Sequence, residues 1–141
     1  MITLAIIKQM ADEEVAGLVL DEDFFWEELP LQKDGKPAQG VWLVTRGGSL
    51  VNTPKGLNQK TTIDFYVAYQ NKAKAEATHE AILAWLRENV AICELSGSVG
   101  GSSYSYANIR IRPATTPQNQ GVTTNGNVVK MASVDVTYDL N

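Results

Sequence analysis

The stretch that decides the fold reads TTIDFYVAY at residues 61–69. Its odd positions from Ile63 to Tyr69 are apolar, and most of its even positions are polar. This period of two predicts a strand with one face on a core. Residues 71–89 follow with apolar side chains at helical spacing, and Asn71 is a favoured N-cap residue. The sequence therefore predicts a strand that leads directly into the main helix.

The first thirty residues predict a second helix and a short strand. Apolar positions between residues 3 and 20 roughly follow a helical repeat, and Thr3 is the candidate N-cap. The aromatic run FFW at residues 24–26 precedes Pro30, which disfavours a helix. We expect a brief strand there, at an edge of a sheet.

Further strands are predicted on both sides of the central one. Residues 41–46 are apolar on both faces, which is typical of a central strand. Residues 91–95 predict a short strand, and 128–140 a long alternating one with its core face from Ala132 to Leu140. In residues 104–112 the alternation places Tyr104, Tyr106, Arg110 and Arg112 on one side. Ile109 lies on the opposite side of that strand.

The order of helix, strands, helix, strands predicts an α+β fold for one domain over residues 1–141. Its mainly antiparallel or mixed β-sheet packs against the N-terminal helix and one central helix. Three polar connections, 31–40, 47–60 and 113–127, are predicted to be long loops. Loops on a rigid scaffold are common places for binding sites.

Charge is unevenly distributed along a chain whose formal net charge is -4. Residues 1–30 hold eight acidic side chains and one basic one, whereas residues 31–141 hold eight acidic and eleven basic ones. One interpretation is a solvated helix and turn. The other is a protomer whose acidic end meets a basic neighbour. The acidic balance argues against a conventional DNA-binding surface.

No motif for catalysis, a cofactor or a metal stands out. His79 is predicted to pack in the main helix and Cys93 to be a small core residue. One Cys excludes an internal disulfide, and one His with one Cys leaves little room for zinc. An enzyme that uses Asp64, His79 or Asp135 is the weakest alternative. The apolar start is too short for a membrane span and lacks signal-peptide features, so an intracellular protein is expected.

Several weak motifs occur in a recognisable order. An aromatic segment ends in Leu29-Pro30, a hydrophobic strand runs into Gly47-Gly48, an alternating strand feeds an Ala-rich helix, and a Tyr-rich strand ends in Arg112-Pro113. From about residue 3 to residue 139 this order resembles the tail terminator (tail completion) proteins of long-tailed bacteriophages. The chain departs from that pattern at residues 117–121, PQNQG, where family members often have an acidic or Gly-Arg turn.

The resemblance implies a structural, non-enzymatic virion protein without a cofactor. Such proteins form a hexameric ring at the head-proximal end of the tail tube, stop tube polymerisation and present a surface to the head connector. The implied partners are further copies of the chain, the tail tube protein and the head-completion or connector protein, with DNA passing through the lumen. The implied location is the head–tail junction of the virion, and the host cytoplasm during assembly. Alternatives are another neck, head-closure or tail-tube protein, or a small α+β binding module.

A closed ring requires head-to-tail contacts between unlike surfaces. Complementary charge can fix the register of such contacts. The candidate subunit-interface residues are Asp21, Glu22 and Asp23 on the acidic side and Arg110 and Arg112 on the other. The candidate axial-contact residues lie in or beside the loops 47–60 and 113–127: Arg46, Asn52, Lys55, Lys60, Gln118, Asn119 and Gln120.

Overall fold

The fold is α+β, with two α-helices and a mixed, curled sheet. The computed structural model describes residues 2–27, 29, 32–33, 36–53, 56–114, 118–122 and 126–140. The helices are α1 (Ile2–Asp12) and α2 (Lys72–Glu88), and a 3-10 turn spans Val15–Gly17. The strands are β1 (Phe24–Trp26), β2 (Gln32–Lys33), β3 (Lys36–Pro37), β4 (Gly40–Thr53), β5 (Gly56–Tyr69), β6 (Ala91–Val99), β7 (Ser102–Pro113), β8 (Gln118–Val122) and β9 (Val128–Leu140).

The main sheet has the strand order β1-β4-β5-β9-β7-β6. Its pairs are antiparallel except for β1, which runs parallel to β4. β8 pairs with the first residues of β9, and β2 pairs with β3 in a separate two-stranded ribbon. The strands β1 and β6 therefore lie at the two ends of this strand order, with β5 and β9 at its centre.

Helix α1 is buried in the core, although a solvated helix was one interpretation of the N-terminal charges. Seven of its eleven residues are buried, and it contacts β1, β4 and β6. A helix that is apolar on all sides is stable only when it is enclosed. Thr3 is not an N-cap as predicted: it lies inside the helix, and its hydroxyl is 2.6 Å from that of Thr45.

The predicted helix over residues 3–20 is too long. Helix α1 ends at Asp12 because the backbone then turns into the left-handed region, with φ of 55° at Glu14, 53° at Ala16 and 68° at Gly17. Left-handed residues cannot continue a right-handed helix. The acidic residues that follow α1 consequently belong to turns at the surface.

The central strand and the main helix form as predicted. Ile63, Phe65 and Val67 on β5 are fully buried, and Asn71 caps α2 by accepting a hydrogen bond from the Lys74 N–H at 3.1 Å. Helix α2 packs against β5 and β9. On β9 the predicted core residues Ala132, Val134, Val136 and Tyr138 are buried. One face of the sheet is therefore covered by the helices.

The predicted loop over residues 47–60 is instead the outer part of a long hairpin. β4 and β5 are each 14 residues long and pair from Gly40–Ala68 out to Thr53–Gly56, with one bulge between Thr45 and Gly48. The polar composition of this segment indicated a loop. Backbone hydrogen bonds do not require apolar side chains, so a polar segment can still form a ladder.

Part of the predicted loop over residues 113–127 is also a strand. Gln118–Val122 forms β8 and pairs with β9 in the register Gln118–Met131, with an irregularity between Asn119 and Gly121. The Gly- and Ser-rich segment of residues 96–103 is likewise mostly ladder, and Gly100 and Gly101 form the turn between β6 and β7.

The alternation predicted for residues 104–112 is interrupted at Asn108. The register of β7 against β9 shifts between Ala107 and Arg110, and Asn108 has a φ of 52°. Such a bulge moves the following side chains to the other face. Tyr104 and Tyr106 are consequently buried on the same side as Ile109 and Ile111. The predicted shared face of the two tyrosines with Arg110 and Arg112 is wrong.

Gly40 lets the turn before β1 lie directly on β4. Its φ is 148°, and a Cβ built there would lie 2.5 Å from the backbone oxygen of Asp23. The next residue, Val41, donates its backbone N–H to that same oxygen at 2.8 Å. The first residue of β4 therefore has to be glycine for the turn to reach this position.

We expect Gly40→Ala to lower the free energy of unfolding by about 3 kcal/mol or more, because this backbone region is almost restricted to glycine and the clash is with backbone. Gly47→Ala is the matched control: its φ is 72° and no atom lies within 4 Å of the added carbon. That change should cost only about 1 kcal/mol. Urea denaturation measures both values, and equal losses in the two variants would contradict this account of Gly40.

Candidate interaction surfaces

The acidic turn, residues 20–23, precedes the edge strand β1 and is closed by hydrogen bonds. Asp23 Oδ1 accepts the Val19 N–H at 2.7 Å, and the Asp21 N–H donates to the Phe24 carbonyl at 2.9 Å. Asp21 has a φ of 66°, which an Asp adopts more easily than most residues. Asp21 and Glu22 are exposed, while Asp23 is half-buried. The backbone therefore holds the first two carboxylates towards solvent, and Asp23 closes the turn.

The turn is also tied to the central strand. Burial and the nearby Asp23 carboxylate raise the pKa of Tyr69 to about 12, against a smaller opposing effect of its hydrogen bond with Thr78. The ammonium of Lys74 lies 4.6 Å from the centre of the Tyr69 ring. The acidic turn, the end of β5 and the start of α2 thus form one packed corner.

Arg110 and Arg112 lie on β7, far along the strand order from the acidic turn. Both are exposed, and Arg112 is opposite Asp135 of β9 in the register. The bulge at Asn108 is stabilised by a hydrogen bond from its side chain to Asp139 at 2.8 Å. β4, β5 and β9 stand between β1 and β7 in the sheet. The two charged groups of the predicted subunit interface therefore lie on different elements of the chain, the turn before β1 and the strand β7.

The face of the sheet opposite the helices carries paired charges. Asp64 is buried, accepts a hydrogen bond from the Ser133 hydroxyl at 2.5 Å and lies 3.3 Å from Nε of Arg46. Asp135 accepts from the Thr62 hydroxyl at 2.7 Å and lies 3.8 Å from Nζ of Lys60. These contacts join β4, β5 and β9 across the open face.

Two of the candidate axial-contact residues, Arg46 and Lys60, belong to this arrangement. Both were candidates for axial contacts, and the structure places them at the base of the hairpin, where each pairs with a carboxylate of the sheet. Asn52 lies farther out on β4, opposite Leu57. Lys55 lies outside the described residues. The candidates Gln118, Asn119 and Gln120 lie on β8, so they belong to the sheet and not to a free loop.

An aromatic pair extends the open face. The rings of Trp42 and Tyr66 stack with centres 4.9 Å apart and planes at 13°. Partial burial, followed by the charge of Asp64, raises the pKa of Tyr66. Sequence reasoning missed this pair, although Trp42 and Tyr66 have the parity opposite to the core residues of their strands. The open face thus combines a stacked aromatic pair with neutralised charges.

The residues considered for an enzyme lie in two different parts of the fold. Asp64 and Asp135 are engaged by Arg46 and Lys60 on the open face, whereas His79 lies on α2 among buried residues. His79 is packed as predicted, but Cys93 is exposed on the edge strand β6, so its predicted burial is wrong. Within the described ranges, no group of three His, Cys, Asp or Glu side chains has the arrangement to hold a metal ion.

Neither α1 nor α2 is long and apolar enough to cross a membrane, and the described part of the chain contains no other α-helix. No protein-family model matches the chain, and a search of curated proteins found no match either.

The buried His79 predicts a pH dependence of stability. Burial, followed by the charge of Lys130, lowers its pKa from 6.5, with smaller opposing effects from the backbone of Met131 and from Glu80. The unfolded chain therefore binds the proton more readily, so stability falls as the pH drops below about 6.5.

We expect the melting temperature to fall as the pH is lowered from 7.5 to 5.5. The melting temperature of His79→Gln should fall by less over the same interval because Gln does not titrate. Differential scanning calorimetry of both proteins measures this. A melting temperature of the natural protein that rises or stays level as the pH falls through this interval would contradict the prediction.

Proposed function

We propose that this chain is a structural protein of a long-tailed bacteriophage, a tail terminator that forms a closed, hexameric ring. The ring would cap the head-proximal end of the tail tube, stop tube polymerisation and provide the joint to the head connector. Its partners would be further copies of the chain, the tail tube protein and a connector protein, with genomic DNA passing through the lumen. The site of action would be the head–tail junction of the virion, after assembly in the host cytoplasm.

The observation that supports this proposal most is the placement of opposite, exposed charges on two different elements, the turn before β1 and the strand β7. A head-to-tail ring needs two different side surfaces on each protomer, related by a rotation that closes. The acidic turn is fixed by its own hydrogen bonds at one end of the strand order, and two exposed arginines lie near the other end. A two-fold dimer could also pair the acidic turn of each copy with the arginines of the other. The charge distribution therefore supports contact between unlike surfaces, and the closed ring is what the resemblance implies.

Among phage structural proteins, the motifs that resemble tail terminators favour that family. They occur in the folded chain as an apolar helix, an aromatic strand, a central hairpin, a helix after the alternating strand, and a Tyr-rich strand ending in Pro113. The hairpin of β4 and β5 stays paired out to Thr53–Gly56, beyond the last pair of β5 with β9 at Gln59, and so provides an axial candidate with a hydrogen-bonded backbone. We propose its outer part, beyond Gly48, as the contact with tube or connector.

Electron microscopy of the purified protein tests the function directly. We expect closed rings of six subunits, with a mass in solution six times the 15.4 kDa of the chain. Long filaments would indicate a tube protein instead. A monomer at high concentration would overturn the ring and favour the binding module.

Reversal of charge in the acidic turn tests the lateral contact. We expect Asp21→Lys with Glu22→Lys to shift rings towards monomers at about 0.15 M salt, where charges within about 8 Å still interact. Asp23 is left unchanged because it closes the turn. Static light scattering measures the oligomer.

The matched control is Glu76→Lys with Glu80→Lys, which changes the net charge equally on the exposed side of α2. The ion pair of Glu76 with Lys130 is long, at 4.0 Å, but the Lys130 side chain is only 14% exposed, so the melting temperature of this control is measured first to establish that it is folded. An acidic-turn variant that keeps its rings as well as this control does would contradict the proposed contact.

A further inference from the structure

An apolar pocket of about 250 Å³ opens between the C-terminal half of α2 and the strands β7 and β9. Typical small-molecule sites are larger, about 300–1,000 Å³, and contain several convergent polar groups. This pocket has one charged lining residue, Arg87, in the last turn of α2. Its dimensions suit a single apolar side chain. The lining residues that matter here are Leu83, Leu86, Arg87, Val90, Ile111 and Pro113.

The rim of this pocket is itself apolar and exposed. Val90 is 52% exposed at the end of α2, where its carbonyl accepts the Ile111 N–H at 3.0 Å. That hydrogen bond holds the rim against β7. The pocket is therefore lined by three elements, α2, β7 and β9, and its rim at Val90 is joined to β7 through the backbone.

The other large exposed apolar side chains lie near β1, at the opposite end of the strand order from β6. Trp26, the last residue of β1, is 42% exposed, whereas Phe24 and Phe25 of the same strand are buried. Val19, on the other side of the acidic turn, is 48% exposed. Together with Val90, these are the large apolar side chains that stand most exposed in the described part of the chain. They fall into two places: Trp26 and Val19 lie on either side of the acidic turn, and Val90 lies at the rim of the apolar pocket.

We propose that Trp26 of one copy of this chain inserts into the apolar pocket of the next copy, with the acidic turn facing Arg87 there. Large aromatic side chains in apolar pockets are the usual anchors of protein interfaces. The surroundings have opposite charge: Asp21, Glu22 and Glu27 are exposed beside Trp26, and Arg87 is exposed at the pocket. Glu88, the next residue of α2, does not line the pocket.

Two features favour a second copy of the chain over another occupant. Trp26 and the pocket lie on different elements, so each protomer can offer Trp26 to one neighbour and its pocket to another. This is the heterologous contact from which rings are made. Repulsion between like charges also disfavours a contact in which the acidic turns of two copies face each other. The proposal rests on the ring of the proposed function, and it names the side chains that would join its subunits.

Directed cross-linking tests this contact while the anchor stays in place. In a Cys93→Ser background, Glu27→Cys is combined with Val90→Cys in one chain and treated with a short bis-maleimide. We expect a ladder of covalent products on a denaturing gel, up to the full ring, because each copy links to two neighbours. The control combines Glu27→Cys with Glu80→Cys, on the exposed side of α2, and should give no ladder.

The outcomes separate this inference from the proposed function. Rings in the microscope without cross-links between positions 27 and 90 would overturn the docking of Trp26 and leave the terminator function standing. A ladder together with open filaments would support the docking and overturn the terminator function. A covalent product that stops at the dimer would show an isologous contact and overturn the head-to-tail arrangement.

Substitution of the anchor gives a quantitative readout. We expect Trp26→Ala to raise the protomer concentration at which half of the rings dissociate by about 30-fold or more, as for a central aromatic anchor. Trp26→Phe should have a smaller effect because it keeps an aromatic ring. Because Trp26 is more than half buried within its own chain, Trp26→Ala should also lower the melting temperature, so ring dissociation is measured at a temperature at which both variants stay folded. If half of the Trp26→Ala rings dissociate at the same protomer concentration as rings of the natural protein, the proposal is overturned. The pocket would then be a site for a peptide or a small apolar ligand.

Discussion

The enclosure of α1 is the constraint on which the rest of the structure depends. This helix is apolar on nearly all sides, and it is stable only if several elements surround it. It touches β1 and β4 near one end of the strand order and β6 at the other. The sheet therefore has to curl around it, and the curl fixes the positions of both edge strands. The short β1 is held in this arrangement through Gly40, which lets Asp23 approach β4.

The curl divides the sheet into a covered face and an open face with different chemistry. The covered face is packed by α1 and α2 with apolar side chains such as Phe65 and Ile109. On the open face, charged side chains occur in pairs: Asp64 with Arg46, and Asp135 with Lys60. A buried carboxylate is tolerable only with hydrogen bonds and an opposite charge, and Asp64 has both. The pairs hold β4, β5 and β9 together without a second layer.

Local patterns predicted the elements whose stability depends on their own residues. The alternation of residues 61–69 and the cap at Asn71 were sufficient for β5 and α2. The outer part of the β4–β5 hairpin was missed because backbone hydrogen bonds hold it together. A segment rich in polar residues and glycine has no side-chain alternation from which such a ladder could be predicted. The faces of β7 were wrong for a different reason: one left-handed residue, Asn108, reverses the alternation. Cys93 was misplaced because the position of β6 at the edge follows from the strand order, which local composition does not encode. For the same reason the sequence did not reveal the pocket, whose walls come from α2, β7 and β9.

The candidate surfaces have in common that each is held by backbone before any partner arrives. The acidic turn is closed by Asp23 and seated on β4, and the pocket rim is joined to β7 by the carbonyl of Val90. A surface that is already ordered loses little conformational freedom on binding, so more of its contact energy appears as affinity. In the ring proposed above, such a protomer would add to a neighbour as a rigid body, and the angle between successive copies would then be set by the fold. Whether a chain of such contacts closes depends on that angle, which must be the same at every contact. Rigidity at the two edges, which follows from the enclosed α1, is therefore the property that a closed ring would require of this fold.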